Sequence, residues 1–324
     1  NRTVQGLPDD AQTGFFRTPY ASSRDFCRNF NDFNFGVSAT RGQIDTQPDI
    51  FSYKLFSGKS SRSGRFLLGG SNGGAIMRIP DYAIQIIPQG SASFSSFELV
   101  NDDGYSYVFG GLNAVESQSV NNGFSTQTYN SSWLITDIRS PNSDDRVQFA
   151  YQSGGSQFSQ DRQWVATQIL NAVPQSGGNY TNSQSISPTS ITSESTLSQF
   201  NPRNITFTNG RIEFIQSNPG ERLDLPNSRF LREIRIFSRE NGQEVLRRVI
   251  RFSYAYFTHS PSGRNKRLRL TQISFQNANG SVSENYIPEY WSNTLSWDEN
   301  FDQTKIDFFG YYNGQSNNHT LAFS

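Results

Sequence analysis

One phrase recurs along the chain: an apolar run, a polar turn, then a second run ending on an aromatic residue. Copies run from Trp133 to Tyr151 (WLITDIRSPNSDDRVQFAY), from Phe230 to Tyr254 (FLREIRIFSRENGQEVLRRVIRFSY) and from Leu268 to Tyr290 (LRLTQISFQNANGSVSENYIPEY). Each reads as a β-hairpin. A single hairpin cannot bury both of its faces, so repetition predicts neighbours stacked into a continuous sheet. Such a chain places its function in a surface or an enclosure rather than in a compact catalytic pocket.

Composition bears on whether that sheet folds at all. Only 34% of residues are hydrophobic and 17% are charged, yet net charge is zero and there are 27 Phe and 14 Tyr. Disorder pairs low hydrophobicity with high net charge and few aromatics. Aromatics bury large areas and favour strands, so the chain reads as folded and β-rich. Neutrality argues against a nucleic-acid partner, which needs a basic footprint. The densest basic run, Arg264, Lys266, Arg267 and Arg269, alternates with Leu268 and Leu270. That spacing describes a solvated sheet face. No stretch is long and apolar enough for a membrane span. Cys27 is the only cysteine, so no disulfide forms within the chain. No signal-peptide pattern is visible and the chain begins in mid-motif, which suggests a portion of something longer.

Residues 1–80 read as an opening segment rich in loops and short strands. Residues 81–324 read as an antiparallel β wall, interrupted by a long Ser/Thr/Asn-rich loop near 175–199. Within the wall, SFSSFELV and YSYVFGG flank an Asp103-Gly104 turn. This predicts a hairpin with Phe97 and Leu99 on one arm and Tyr105, Tyr107 and Phe109 on the other. WVATQIL (164–170) reads as a further strand. NITFTNGRIEFI (204–215) reads as a two-residue hairpin with a type I′ turn at Asn209-Gly210 and positive φ at both. No apolar period of 3.6 persists, so no helix is expected.

Catalytic constellations are scarce. Only His259 and His319 are available, and no G-x-S-x-G elbow accompanies them. Zinc is disfavoured by one Cys and two separated His. GGSNGGA (69–75) lacks the G-K-[ST] of a phosphate loop. The carboxylates Asp102, Asp103, Glu116, Asp144, Asp145, Asp224, Asp298 and Glu299 offer material for a two-carboxylate hydrolase. Those in hairpin turns are better read as turn residues. No cofactor, metal or catalytic residue is expected. Trp291, Trp297 and the other closing aromatics suit either a sugar-stacking platform or packing at a sheet edge.

The order of several motifs resembles the region upstream of the repeats in large YD-repeat (Rhs-like) surface proteins of the Bacteroidetes. IDTQPDIFSYKLFSGKSSRSGRFLLGG resembles a D-x-x-P-D-x-F-x-F…G-x-S-G-x-F segment through Asp45, Pro48, Asp49, Phe51, Tyr53, Gly64 and Phe66. FELVNDDGYSYVFGG resembles a D-G-x-x-Y-x-F-G-G hairpin through Asp103, Gly104, Tyr107, Phe109, Gly110 and Gly111. SSWLITDIRSP resembles an S-x-W-x-L-x-x-I strand through Trp133. FFGYYNG resembles a closing W-G-Y-Y-N-G through Gly310, Tyr311, Tyr312, Asn313 and Gly314, with Phe309 where Trp is usual. No Tyr-Asp dipeptide occurs, so the repeats themselves are absent. The resemblance implies an all-β, antiparallel, hairpin-rich wall of a hollow β-cocoon on the cell surface or outside the cell. It implies a non-enzymatic part that encloses or presents a downstream effector or toxin. Its partners would be the rest of the shell and the secretion machinery, with type 9 secretion as the route. The competing reading is a cell-surface adhesin or carbohydrate-binding β module.

Overall fold

A computed structural model describes residues 1–3, 49–57, 60–69, 75–90, 94–121, 126–142, 144–174, 180–257 and 267–290. Among these residues there are strands and turns and no helix. A four-stranded antiparallel sheet is built from β1 (Arg2–Thr3), β2 (Ile50–Ser57), β3 (Ser60–Gly69) and β4 (Ala75–Ile79), in that order. The second sheet has 13 strands. They are β5 (Gln85–Gln89), β6 (Ser96–Val100), β7 (Ser106–Gly110), β8 (Val115–Asn121), β9 (Thr126–Trp133), β10 (Ile135–Arg139), β11 (Arg146–Pro174), β12 (Tyr180–Phe207), β13 (Gly210–Gln216), β14 (Leu231–Glu240), β15 (Gln243–Phe257), β16 (Arg267–Asn277) and β17 (Val282–Tyr286). Its main path runs β17-β16-β15-β14-β13-β12-β11-β10-β7-β6-β5, with the β8–β9 hairpin joined to β12 off that path. All pairings are antiparallel. The three recurrent phrases are the β10–β11, β14–β15 and β16–β17 hairpins of this one sheet.

The core lies where the small sheet packs against the first strands of the large one. Phe51, Tyr53, Leu55, Phe66 and Leu68 meet Ile84, Ile86, Phe94, Phe97, Leu99, Tyr107 and Trp133. Phe51 stacks on Phe66 at 5.1 Å, and Phe97 meets Trp133 edge-on at 4.9 Å. The Tyr107 hydroxyl donates to Phe56 O at 2.9 Å, tying one sheet to the other. The opening segment therefore supplies five of these twelve core residues, through strands of eight and ten residues. Its alternating Phe51, Tyr53 and Leu55 carry the period-2 pattern that places them there.

The predicted β6–β7 hairpin is present, with Phe97 opposite Phe109 and Leu99 opposite Tyr107. Asn101 is buried at its turn and accepts from Tyr105 N at 2.8 Å, and Gly104 takes φ +81°. Tyr105 is exposed rather than packed with the other aromatics.

Two expectations differ from the structure. Residues 180–199, read as part of a polar loop, are the first two-thirds of β12, paired with β11 from Pro174↔Tyr180 onward. Ser and Thr supply ladder hydrogen bonds as well as apolar residues do, so a strand built from them leaves no hydrophobic signal in the sequence. The second concerns Asn209-Gly210. The hairpin exists, but Phe207 pairs with Gly210, so its two turn residues are Thr208 and Asn209. Neither Asn209 nor Gly210 has positive φ. The two-residue turn with positive φ at both positions lies at Asn241 (φ 50°) and Gly242 (φ 79°), between the paired Glu240 and Gln243.

Candidate functional site

The family-like motif residues divide into two groups. Phe51, Tyr53, Gly64, Phe66, Tyr107, Phe109, Gly110 and Trp133 converge on the contact between the two sheets, and Asp49 is fully buried just before β2. Gly64 lies opposite Tyr53, whose ring occupies the space a Cβ would need, with Oη at 2.5 Å. Gly110, at φ +88°, leaves room for Ser95 O and the Trp133 ring, at 2.5 and 2.6 Å from where a Cβ would sit. Trp133 Nε1 donates to Phe94 O at 2.8 Å. Asp103 and Gly104 form the β6–β7 turn. Asp45, Pro48, Gly310, Tyr311, Tyr312, Asn313 and Gly314 lie outside the described residues, as do Cys27, His259, Trp291, Trp297, Asp298, Glu299 and His319.

These motif residues hold the molecule together. A cavity of about 160 Å³ lies among Phe51, Phe66, Phe97, Leu99, Phe109 and Trp133. Sites that enclose drug-sized ligands run from roughly 300 to 1,000 Å³, so it is small for a cofactor. Among the described residues no three His, Cys, Asp or Glu side chains gather into a metal-binding group. The candidate carboxylates are spread over separate hairpins. Asp102 pairs with Arg62 at 2.6 Å. Glu116 accepts from Phe200 N at 3.2 Å, and Asp224 is held by Arg222 at 3.0 Å and Leu268 N at 3.2 Å.

The distinctive surface is the large sheet itself. In an antiparallel pair, residues directly opposite share a face. One row runs Phe149, Ile205, Ile212, Ile236 across four strands. The next runs Phe214, Ile234, Ile250, Phe275, and a third pairs Phe252 with Ile273 and Tyr286. At the other end the same face carries Leu99, Tyr107, Ile138 and Val147, where the small sheet covers its first strands. From Phe149 to Ile273 these apolar side chains are only half-buried. Among the described strands none packs over them. The loop between β13 and β14 lies against the far strands: Phe230 meets Tyr254 at 4.9 Å, and Leu223 N donates to the Tyr256 hydroxyl at 2.8 Å.

The opposite face is a ladder of ion pairs. Arg211 contacts Glu244 at 2.9 Å and Glu213 at 3.6 Å, and also covers the Phe237 ring. Glu233 receives Arg235 at 3.0 Å and Arg251 at 3.1 Å. Asp137, only 7% exposed, is gripped by Arg139 at 2.6 Å and Arg146 at 2.8 Å. Burial pushes the Asp137 carboxyl up, but hydrogen bonds from Arg146 and Arg139 outweigh it and hold it below the usual range. Charges at adjacent strand positions are mutually compensated, which suits a face turned to water. The sheet is thus mostly apolar on one side and mostly ionic on the other, with Arg248 on the apolar side and Ile215, Phe237, Leu246 and Val249 among the ion pairs. The sequence shows many of these strands but not this division, because a register is needed to know which residues face each other.

No family model, curated protein or solved structure matches the chain. No helix among the described residues is long and apolar enough to cross a membrane.

Proposed function

We propose that this chain is a structural wall segment of a shell like those of the YD-repeat (Rhs-like) proteins, without catalytic activity of its own. One observation carries the reading: a sheet of 13 strands has one compensated ionic face and one apolar face half-covered by the described residues. An apolar sheet face gains stability only when something lies against it. In this reading the ionic face is the outside of the shell. The apolar face looks inward and is closed by further wall or by an enclosed effector segment. The motif residues around Phe51, Tyr107 and Trp133 lock the small sheet onto the first strands and so fix how the wall begins. Export to the cell surface by the type 9 route rests on the same resemblance.

Electron cryomicroscopy of the intact protein tests this. The expected image is a hollow body in which the large sheet continues into further strands, with Phe214, Ile234 and Ile250 facing the lumen. A sheet whose apolar face is turned to bulk solvent, or a solid isolated domain, contradicts it.

A further inference from the structure

Strands β11 and β12 are far longer than their neighbours. β12 pairs with β8 as far as Glu194, and β11 pairs with β10 only at Arg146–Gln148. From Asp161↔Ser193 to Pro174↔Tyr180 the two strands pair, among the described residues, only with each other. They form a two-stranded arm roughly 45 Å long, at about 3.3 Å per residue. Such a ribbon is marginal alone, and three or more strands are needed for independent stability.

The arm's sequence is unusual in this chain. Residues 163–174 and 180–193 contain no charged residue, whereas the whole chain is 17% charged. Proteins protect free strand edges with charges, Pro or bulges. Pro188 interrupts the donors of β12, but β11 has no proline before Pro174. Its run Val165–Leu170 (VATQIL) combines β-branched and apolar residues with zero charge, the composition that favours strand addition. A segment that pairs with itself must bring like residues close together across a twofold axis, and absence of charge removes the repulsion this would cause.

We propose that the outer edge of β11, centred on Val165–Leu170, pairs antiparallel with the same edge of a second copy. The product is a four-stranded ribbon, β12-β11 from one protomer continuing into β11-β12 of its partner. This inference rests on the arm and is independent of the wall reading, which concerns the apolar sheet face.

Light scattering on the eluting protein tests it, using three forms of the chain at equal concentration. The first is unaltered. The second replaces residues 163–191 with Asn-Gly, closing the arm at the Arg162↔Thr192 pair. The third keeps the arm but carries Thr167→Lys and Gln168→Lys, which place like charges near the twofold axis. The expected mass is about twice the 36.5 kDa of one chain for the unaltered form, falling twofold in both variants. A cysteine scan over 165–170 in a Cys27→Ser background should show oxidative cross-linking that peaks at one position and falls to either side. A monomeric unaltered chain overturns the proposal. So does association that survives in the lysine variant or the shortened one, which is the result that pairing through the apolar face would give.

Discussion

At Trp133 the indole ring touches Phe51 and Phe97, its Nε1 donates to Phe94 O, and its edge fills the space left by Gly110. Truncation leaves a cavity between the sheets and removes the shorter of the two hydrogen bonds to Phe94 O, the other coming from Asn130 Nδ2 at 3.2 Å. Trp133→Ala should therefore cost about 3–5 kcal/mol, read as a lowered denaturant midpoint. Ionisable residues give the stability a pH window. Asp137 has a depressed carboxyl pKa, so its contribution is present above the ordinary carboxylate range and is lost as pH falls through the lowered value. Asp137→Asn should lower stability at neutral pH and flatten the acid limb of a stability–pH curve; an unchanged limb would show that the Arg139 and Arg146 contacts contribute nothing. Tyr151 shifts the other way. Burial, with Glu116 nearby, pushes its hydroxyl up to about 12, and the hydroxyl donates to Ile135 O at 2.6 Å. Its contribution is complete below the unfolded value near 10 and is lost as pH rises through about 12. Tyr151→Phe should cost about 1 kcal/mol at neutral pH and remove part of the alkaline loss.

Hairpins are the scale at which the sequence was most legible, and also where one detail shifted. Two Asn-Gly pairs, 209–210 and 241–242, look alike as letters. Only Asn241-Gly242 adopts positive φ at both positions. Gly210 is instead a ladder residue that lies close under Phe237 O, where a Cβ has no room. That close approach comes from a strand more than twenty residues away, so no local signal announces it. The two turns should answer differently to a β-branched side chain. Asn241→Val forces a left-handed conformation and should cost about 1–2 kcal/mol, whereas Asn209→Val should be mild. Gly210→Val should still destabilise, by about 1–3 kcal/mol, through overpacking rather than through backbone strain. Thermal unfolding of the three variants checks the ordering, and equal losses at 209 and 241 would contradict this register. The β11–β12 ribbon was half-legible: WVATQIL shows as a strand because it is apolar, while its Ser/Thr-rich partner carries no such mark.

Across the whole molecule, the sheet was legible from the repetition of one hairpin phrase, and its all-β antiparallel character comes with it. What the letters could not show was which side of each strand faces which. That depends on register and on bulges such as those in the β14–β15 and β15–β16 pairings, each of which reverses the facing of the residues beyond it. Once the register is known, the apolar rows through Ile212, Ile234, Ile236 and Ile250 separate from the ionic rows through Arg211, Glu213, Arg235 and Glu233. The wall reading makes the first face interior and the second exterior. The direct test is maleimide labelling of single cysteines placed on each face of the intact protein, in a Cys27→Ser background. Positions 234 and 236 report the apolar face, and 211 and 235 the ionic one. Labelling at 234 and 236 should be at least an order of magnitude slower than at 211 and 235, because reagent reaches a covered face only through local opening. Equal rates on the two faces of the folded protein would contradict it.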